Sequence, residues 1–177
     1  MQEHRFYLEA AMEEAEHAYV KKTYPVGAVI VGPEGNIISR GHNQVYSDGD
    51  FTAHAEIEAI REAGPLLMQK ENFEKCTLYT TWEPCLMCCG AILLAHIKQV
   101  VWMTDDNVHG GLRRLNRNKD CLDSLYYEQK LDDLQILPAH EHDLIERMET
   151  LMQNWNGEKE TVLGHWRQKY KRMQPIT

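Results

Sequence analysis

The sequence predicts an α/β fold: a three-layer α/β/α sandwich around a central five-stranded mixed sheet. Three observations carry this. Segments with apolar residues at helical spacing alternate with short runs rich in β-branched residues. The first two strand-like runs are joined by a tight turn, and the later ones are interleaved with helical segments, as layered α/β proteins require. The 177 residues suit one domain with a full core.

Each element has its own signal. Leu8, Ala11, Met12, Ala15, Ala18 and Tyr19 fall at helical spacing, so residues 3–22 read as an amphipathic helix that Tyr24-Pro25 ends. Val26 to Val31 reads as a strand, Gly32-Pro33-Glu34-Gly35-Asn36 as a turn, and Ile37 to His42 as the returning strand of a hairpin. Asn43 to Phe51 is polar and loop-like. Thr52 suits the N-cap of a helix over residues 53–63, with Gly64-Pro65 as its stop. Cys76 to Thr81 is the third strand. Cys85 to His96 is a nearly all-apolar helix, which predicts burial. Gln99 to Met103 is the fourth strand, and Asp105 to Asn118 is polar and contains glycines. Leu134 to Leu137 is a short fifth strand. Leu144, Met148, Leu151, Met152 and Trp155 mark a further helix that Asn156-Gly157 stops. Residues 1–157 are therefore expected to form the domain, and residues 158–177 a helical tail.

Two short segments carry the chemistry. His54-Ala55-Glu56 is followed downstream by Pro84-Cys85-Leu86-Met87-Cys88. One imidazole and two thiolates can hold Zn2+ with one coordination position open, the catalytic rather than the structural pattern. In favourable sites such a position acidifies water from a pKa of ~15.7 toward roughly 7. Glu56 lies two residues from His54, and a regular helix would set the pair about 200° apart around its axis. Placing His54 at the helix start removes that conflict. Cys85 and Cys88 share a helix face, and a helix N-terminus stabilises thiolates. Taken alone, Cys-x-x-Cys also reads as half a structural zinc site, a redox pair or chance. Cys76 and Cys121 are isolated and supply no second pair, and a redox pair needs no upstream His-x-Glu. Cys89 would point away from a metal held by its neighbours and reads as a packing residue.

Both segments together resemble the zinc site of the cytidine deaminase superfamily, in the branch of guanine deaminases, fungal-type cytosine deaminases and tRNA adenosine deaminases. The resemblance covers roughly Leu8 to Leu115. It implies a five-stranded sheet with one zinc ion per chain, held by His54, Cys85 and Cys88, and Glu56 as the proton carrier. It also implies a zinc-dependent hydrolytic deaminase in which activated water attacks the amine-bearing ring carbon and ammonia leaves. Tyr24-Pro25-Val26-Gly27-Ala28-Val29 is similar to the family's opening of the first strand. Asn43 matches an Asn that hydrogen-bonds the base; its amide offers a donor and an acceptor, whereas the plainer reading is a turn-capping residue. By the same resemblance the backbone N–H of Ala55 meets the base. The backbone C=O of Glu83, in Thr81-Trp82-Glu83-Pro84-Cys85, accepts from the departing amine; the Glu83 carboxylate also has a purely structural reading.

Beyond the fourth strand the chain departs from the pattern. Many tRNA adenosine deaminases have Ala-Arg-Asp there; this chain has Thr104-Asp105-Asp106, so Asp106 matches the family Asp and is expected to contact substrate, whereas Asp105 replaces the Arg. An acid in that place works against phosphate contacts. His109 reads as a surface residue on the pocket rim. The net charge is −8; the segment from Glu160 carries +3, which leaves −11 on the rest. Arg113, Arg114, Arg117 and Lys119, with the tail, offer the material for a basic face, but a solvated loop and a frayed helix are the favoured reading. The balance favours a small nucleobase or nucleoside, a purine such as guanine first and a cytosine-type base second. tRNA adenosine is the disfavoured alternative, and a non-catalytic zinc-stabilised subunit the alternative of another class. Trp166 or Tyr170 in the tail offers a ring to stack on the base as part of a lid, with simple docking of an amphipathic tail as the competing reading. The opening residues lack a secretory pattern, no apolar run is long enough to span a membrane, and five cysteines suit a reducing compartment. A cytoplasmic enzyme is expected, and the resemblance implies a homodimer.

Overall fold

The structure is a computed structural model, and it describes residues 2–155. Helix α1 (Gln2–Val20) leads into the hairpin β1 (Gly27–Val31) and β2 (Ile37–His42). A short helix α2 (Val45–Asp48) precedes α3 (Ala55–Leu67), β3 (Thr77–Trp82), α4 (Leu86–Leu94) and β4 (Gln99–Thr104). Then follow α5 (Leu112–Arg117), a 3-10 turn (Lys119–Leu122), α6 (Leu125–Asp133), β5 (Gln135–Pro138) and α7 (His142–Asn154). The sheet order is β2-β1-β3-β4-β5. β1 pairs antiparallel with β2 and β3, whereas β3–β4 and β4–β5 are parallel, so the sheet is mixed as expected.

Strand alternation divides the core into two layers. Ala28, Ile30, Leu78, Val100 and Trp102 face Ala55 and Ala59 of α3, Ile92 of α4 and Leu131 of α6. Val29, Val31, Tyr79, Val101 and Met103 face Leu8 and Met12 of α1 and Leu144 and Met148 of α7. Trp102 is fully buried, and its indole N–H donates to Asp105 at 2.8 Å. The ring thus buries its apolar body without orphaning its donor.

One glycine sets the depth of the site. A Cβ on Gly41 would sit 2.2 Å from the carbonyl oxygen of Ala55 and 2.5 Å from the nitrogen of Ala59. Only a residue without a side chain lets β2 lie this close to the first turns of α3.

Four local expectations are corrected. The segment 43–51 contains the single-turn helix α2, closed by Gly49 at φ 68°. Gly64-Pro65 does not end α3: near the helix end Pro65 forfeits little, and the Met68 N–H closes on Gly64 O at 3.2 Å. The polar segment 105–118 contains α5. Helix α4 is not buried all round; Cys88, Cys89, Ile92 and Leu93 face the core, while Leu86 and Leu94 are exposed. The expected tail, residues 158–177, lies outside the described residues.

Candidate active site

Two helix starts converge beside the ends of β2 and β3. His54 is the N-cap of α3, with φ −76° and ψ 152°. This extended conformation takes its ring off the helix wheel and lets Glu56, in the first turn, face the same space. Cys85 is likewise the N-cap of α4, and Cys88 lies in its first turn. His54 Nδ1 is 3.6 Å from Cys85 Sγ and 3.6 Å from Cys88 Sγ, and the two sulfurs are 3.6 Å apart. Tetrahedral zinc with bonds of ~2.3 Å to sulfur and ~2.0–2.1 Å to nitrogen sets such atoms about 3.5–3.8 Å apart. The triangle therefore has the size the ion needs. Among the described residues, these three form the group of donors close enough to share a metal.

Electrostatics fit the same donor set. The Cys88 thiol, and then the His54 ring, draw Cys85 down to about 4. Cys88 is pushed up by its charged neighbour Cys85 and by burial. Two adjacent thiols thus share one proton, which a dication replaces. Glu56 is buried, with Oε2 3.6 Å from Cys88 Sγ, and burial pushes its carboxyl up to about 7. A carboxyl this close to the donors is within reach of a group held at the open coordination position. Cys89 points elsewhere: its thiol meets Pro84 O at 3.5 Å, and burial pushes it up.

His54 and Cys85 of the donor set, with Glu56, line a cavity of about 520 Å³. Tyr24, Val26, Phe51, Trp82 and Met152 supply apolar wall, and Asn43, Glu56, Asp106 and His109 supply polar groups. The size and mixture suit a flat heterocycle fixed by a few polar contacts. No Lys or Arg is among the described residues lining it. Asn43 is buried, and its Oδ1 accepts from Thr23 Oγ1 at 2.8 Å and from the Val45 N–H at 3.1 Å.

The carboxylate of Glu83 turns away from chemistry. It accepts from the Asp106 N–H at 3.1 Å, the Arg113 N–H at 3.0 Å and Arg113 Nε at 2.8 Å. It is the fully covered anchor of the loop after β4. Gly110 makes room for it; a Cβ there would lie 2.3 Å from Glu83 Oε2. Asp106 Oδ1 accepts from the N–H groups of Val108 and His109, each at 2.8 Å. Burial raises Asp106, but the His109 side chain and these N–H groups outweigh it and bring it to about 2. The sequence brings His54, Ala55, Glu56, Cys85, Cys88, Asn43, Glu83 and Asp106 to one place; Trp166 lies outside the described residues.

Arg113 and Thr23 escaped the sequence reading. Arg113 looked like part of a basic face, yet it binds Glu83, Asp105 and Asn107. Arg114 meets the carbonyls of Gly110 and Asn107, and Lys119 pairs with Asp132. The only forewarning was the pair Gly110-Gly111, a sign of close backbone approach.

Comparisons with known proteins agree with the geometry. Residues 1–104 match the family described as the cytidine and deoxycytidylate deaminase zinc-binding region. A tRNA-specific adenosine deaminase of Aquifex aeolicus is 47% identical over 107 residues, 60% of this chain and 70% of that protein. A cytosine deaminase of Candida albicans is 31% identical over 125 residues, 66% of this chain and 82% of that protein. A solved structure from a study of A-to-I editing by tRNA:A34 deaminases superposes with a TM-score of 0.63 at 30% identity, covering 76% of this chain and 98% of that one.

Proposed function

The chain belongs to the family of the cytidine and deoxycytidylate deaminase zinc-binding region, and from that membership we propose that this hydrolytic deaminase converts adenosine to inosine in tRNA. The observation that carries the substrate is the 47% identity to a tRNA-specific adenosine deaminase. This reverses the preference for a small free base that charge alone suggests. That preference leaned on Asp105, whose charge is met by Arg113 Nη1 at 2.9 Å and so is not a free repulsive group.

The surroundings of the cavity support a polyanionic substrate. A second cavity, of about 610 Å³, is lined by Lys21, Lys22, Tyr46 and Trp155. It adjoins the first through an aromatic wall: Tyr24 of the base cavity has its ring centroid 4.0 Å from that of Trp155. Cations beside stacking surfaces are what a strand of nucleotides needs next to an inserted base.

In the reaction, water adds its oxygen to the ring carbon bearing the amine, the C–N bond breaks and ammonia leaves. When bound at His54, Cys85 and Cys88, zinc supplies an acidified water at its open position. Glu56 takes one proton from the water and passes it to the ring nitrogen, then takes the second from the hydroxyl now on the ring carbon and gives it to the amine as the C–N bond breaks. Asn43 and the Ala55 N–H hold the base edge, and the Glu83 carbonyl accepts from the amine. Asp106 shapes the rim through its turn. Trp166, which lies outside the described residues, is proposed as a substrate contact.

A second reading, a free nucleobase or nucleoside with guanine or cytosine foremost, is favoured by the absence of Lys or Arg among the described lining residues and by the likeness to a cytosine deaminase. The test is to incubate zinc-loaded protein with tRNA and with a panel of free bases and nucleosides. Inosine in tRNA without ammonia from the panel supports the first reading, and the converse the second. A cytoplasmic homodimer is proposed, and free Cys76 and Cys89 suit a reducing compartment. No helix among the described residues is long and apolar enough to cross a membrane.

A further inference from the structure

We infer that Thr23 is a positioning residue of the base cavity, holding the Asn43 amide with its NH2 toward the substrate. This rests on the reading of that cavity as a base site. Thr23 is fully buried in the connection between α1 and β1, and twenty residues separate it from Asn43. Its Oγ1 accepts the Tyr46 N–H at 3.2 Å, which leaves the hydroxyl proton free to donate to Asn43 Oδ1 at 2.8 Å.

The amide orientation is fixed independently by chemistry. The Val45 N–H is a donor and can meet only an acceptor, and it lies 3.1 Å from Oδ1. Two donors therefore converge on one amide end, which must be oxygen. Asn43 Nδ2 has no partner among the described residues, and Asn43 lines the cavity. The group offered to substrate is thus an NH2. It selects a ring edge that carries an acceptor, a ring nitrogen or carbonyl oxygen, and disfavours one that carries an amine there. Thr23 helps the Val45 N–H to hold that orientation, without touching substrate. With its hydroxyl gone, Oδ1 keeps one donor and the amide loses half of what holds it.

The experiment compares Thr23→Val, Thr23→Ser and Asn43→Ala with the wild type, all zinc-loaded, on tRNA and on free guanine, cytosine and adenosine. For Thr23→Val the expected result is a rise in KM of about five- to tenfold, with kcat less affected and zinc content unchanged. Thr23→Ser restores the wild-type KM, and Thr23→Val adds nothing in an Asn43→Ala background. A wild-type KM in Thr23→Val, or an equal rise without Asn43, overturns the role. Thr23→Ala replaces Thr23→Val if the latter does not fold. If the wild type deaminates none of these substrates, the deaminase reading has failed, and the Asn43 side-chain amide resonance in isotope-labelled protein decides instead. A shift with faster exchange in Thr23→Val supports the positioning role, and an unchanged resonance overturns it.

Discussion

Asp105 Oδ2 accepts a 2.9 Å hydrogen bond from Arg113 Nη1, while Arg113 Nε lies 2.8 Å from the buried Glu83 Oε2. One guanidinium therefore bridges a half-exposed acid and a fully covered one. The first consequence concerns stability. Arg113→Leu leaves the Glu83 carboxylate buried with backbone N–H groups alone, at a cost of about 2–4 kcal/mol. Asp105→Asn removes only the more exposed partner and is expected to cost under about 1 kcal/mol. Urea melts of the two variants measure the difference, and equal losses would deny Glu83 its anchoring role.

Gly41→Ala places a methyl where the Ala55 carbonyl lies 2.2 Å away. The first turn of α3 must move, and His54 and Glu56 move with it. A loss of about 1–3 kcal/mol is expected, together with weaker zinc retention. Denaturation with and without a chelator separates the two effects; unchanged zinc retention would uncouple Gly41 from the donor set.

Acid stability should carry a contribution from Asp106. Its native carboxyl stands at about 2, below the ~3.9 of an unfolded Asp, so the native state binds fewer protons than the unfolded one. The contribution is full above about pH 4 and lost as pH falls toward 2. Its size is at most about 2 kcal/mol after screening. Asp106→Asn should flatten this part of the stability profile, and an unaltered slope would assign it elsewhere.

Lys21 and Lys22 test the path of an RNA strand. Replacing both by Gln should weaken tRNA binding and lower the salt dependence by roughly 1–2 in log–log slope. Binding measured at several salt concentrations reads this, and an unchanged slope would route the strand over another surface.

The donor set was legible because its chemistry is local: His54 with Glu56, and Cys85 with Cys88, are pairs a few residues apart at helix starts. The five strands were legible from β-branched runs. Less readable were features decided by distant partners. Thr23 acquires its role from Asn43, and Arg113 from Glu83 thirty residues upstream. A run of arginines reads as a basic face until its acceptors are known. Gly64-Pro65 reads as a stop, although a proline late in a helix forfeits little. The exposed Leu86 and Leu94 defied an inference from composition, because α4 packs only one side on the sheet.

The most direct measurement is inosine formation in tRNA by zinc-loaded wild-type protein and by Glu56→Gln. Inosine from the wild type is expected, with turnover lowered at least about a hundredfold in Glu56→Gln and one zinc still bound per chain. Comparable inosine from Glu56→Gln would contradict the assignment of the proton carrier. Ammonia from a free base, with no inosine in tRNA, would contradict the substrate.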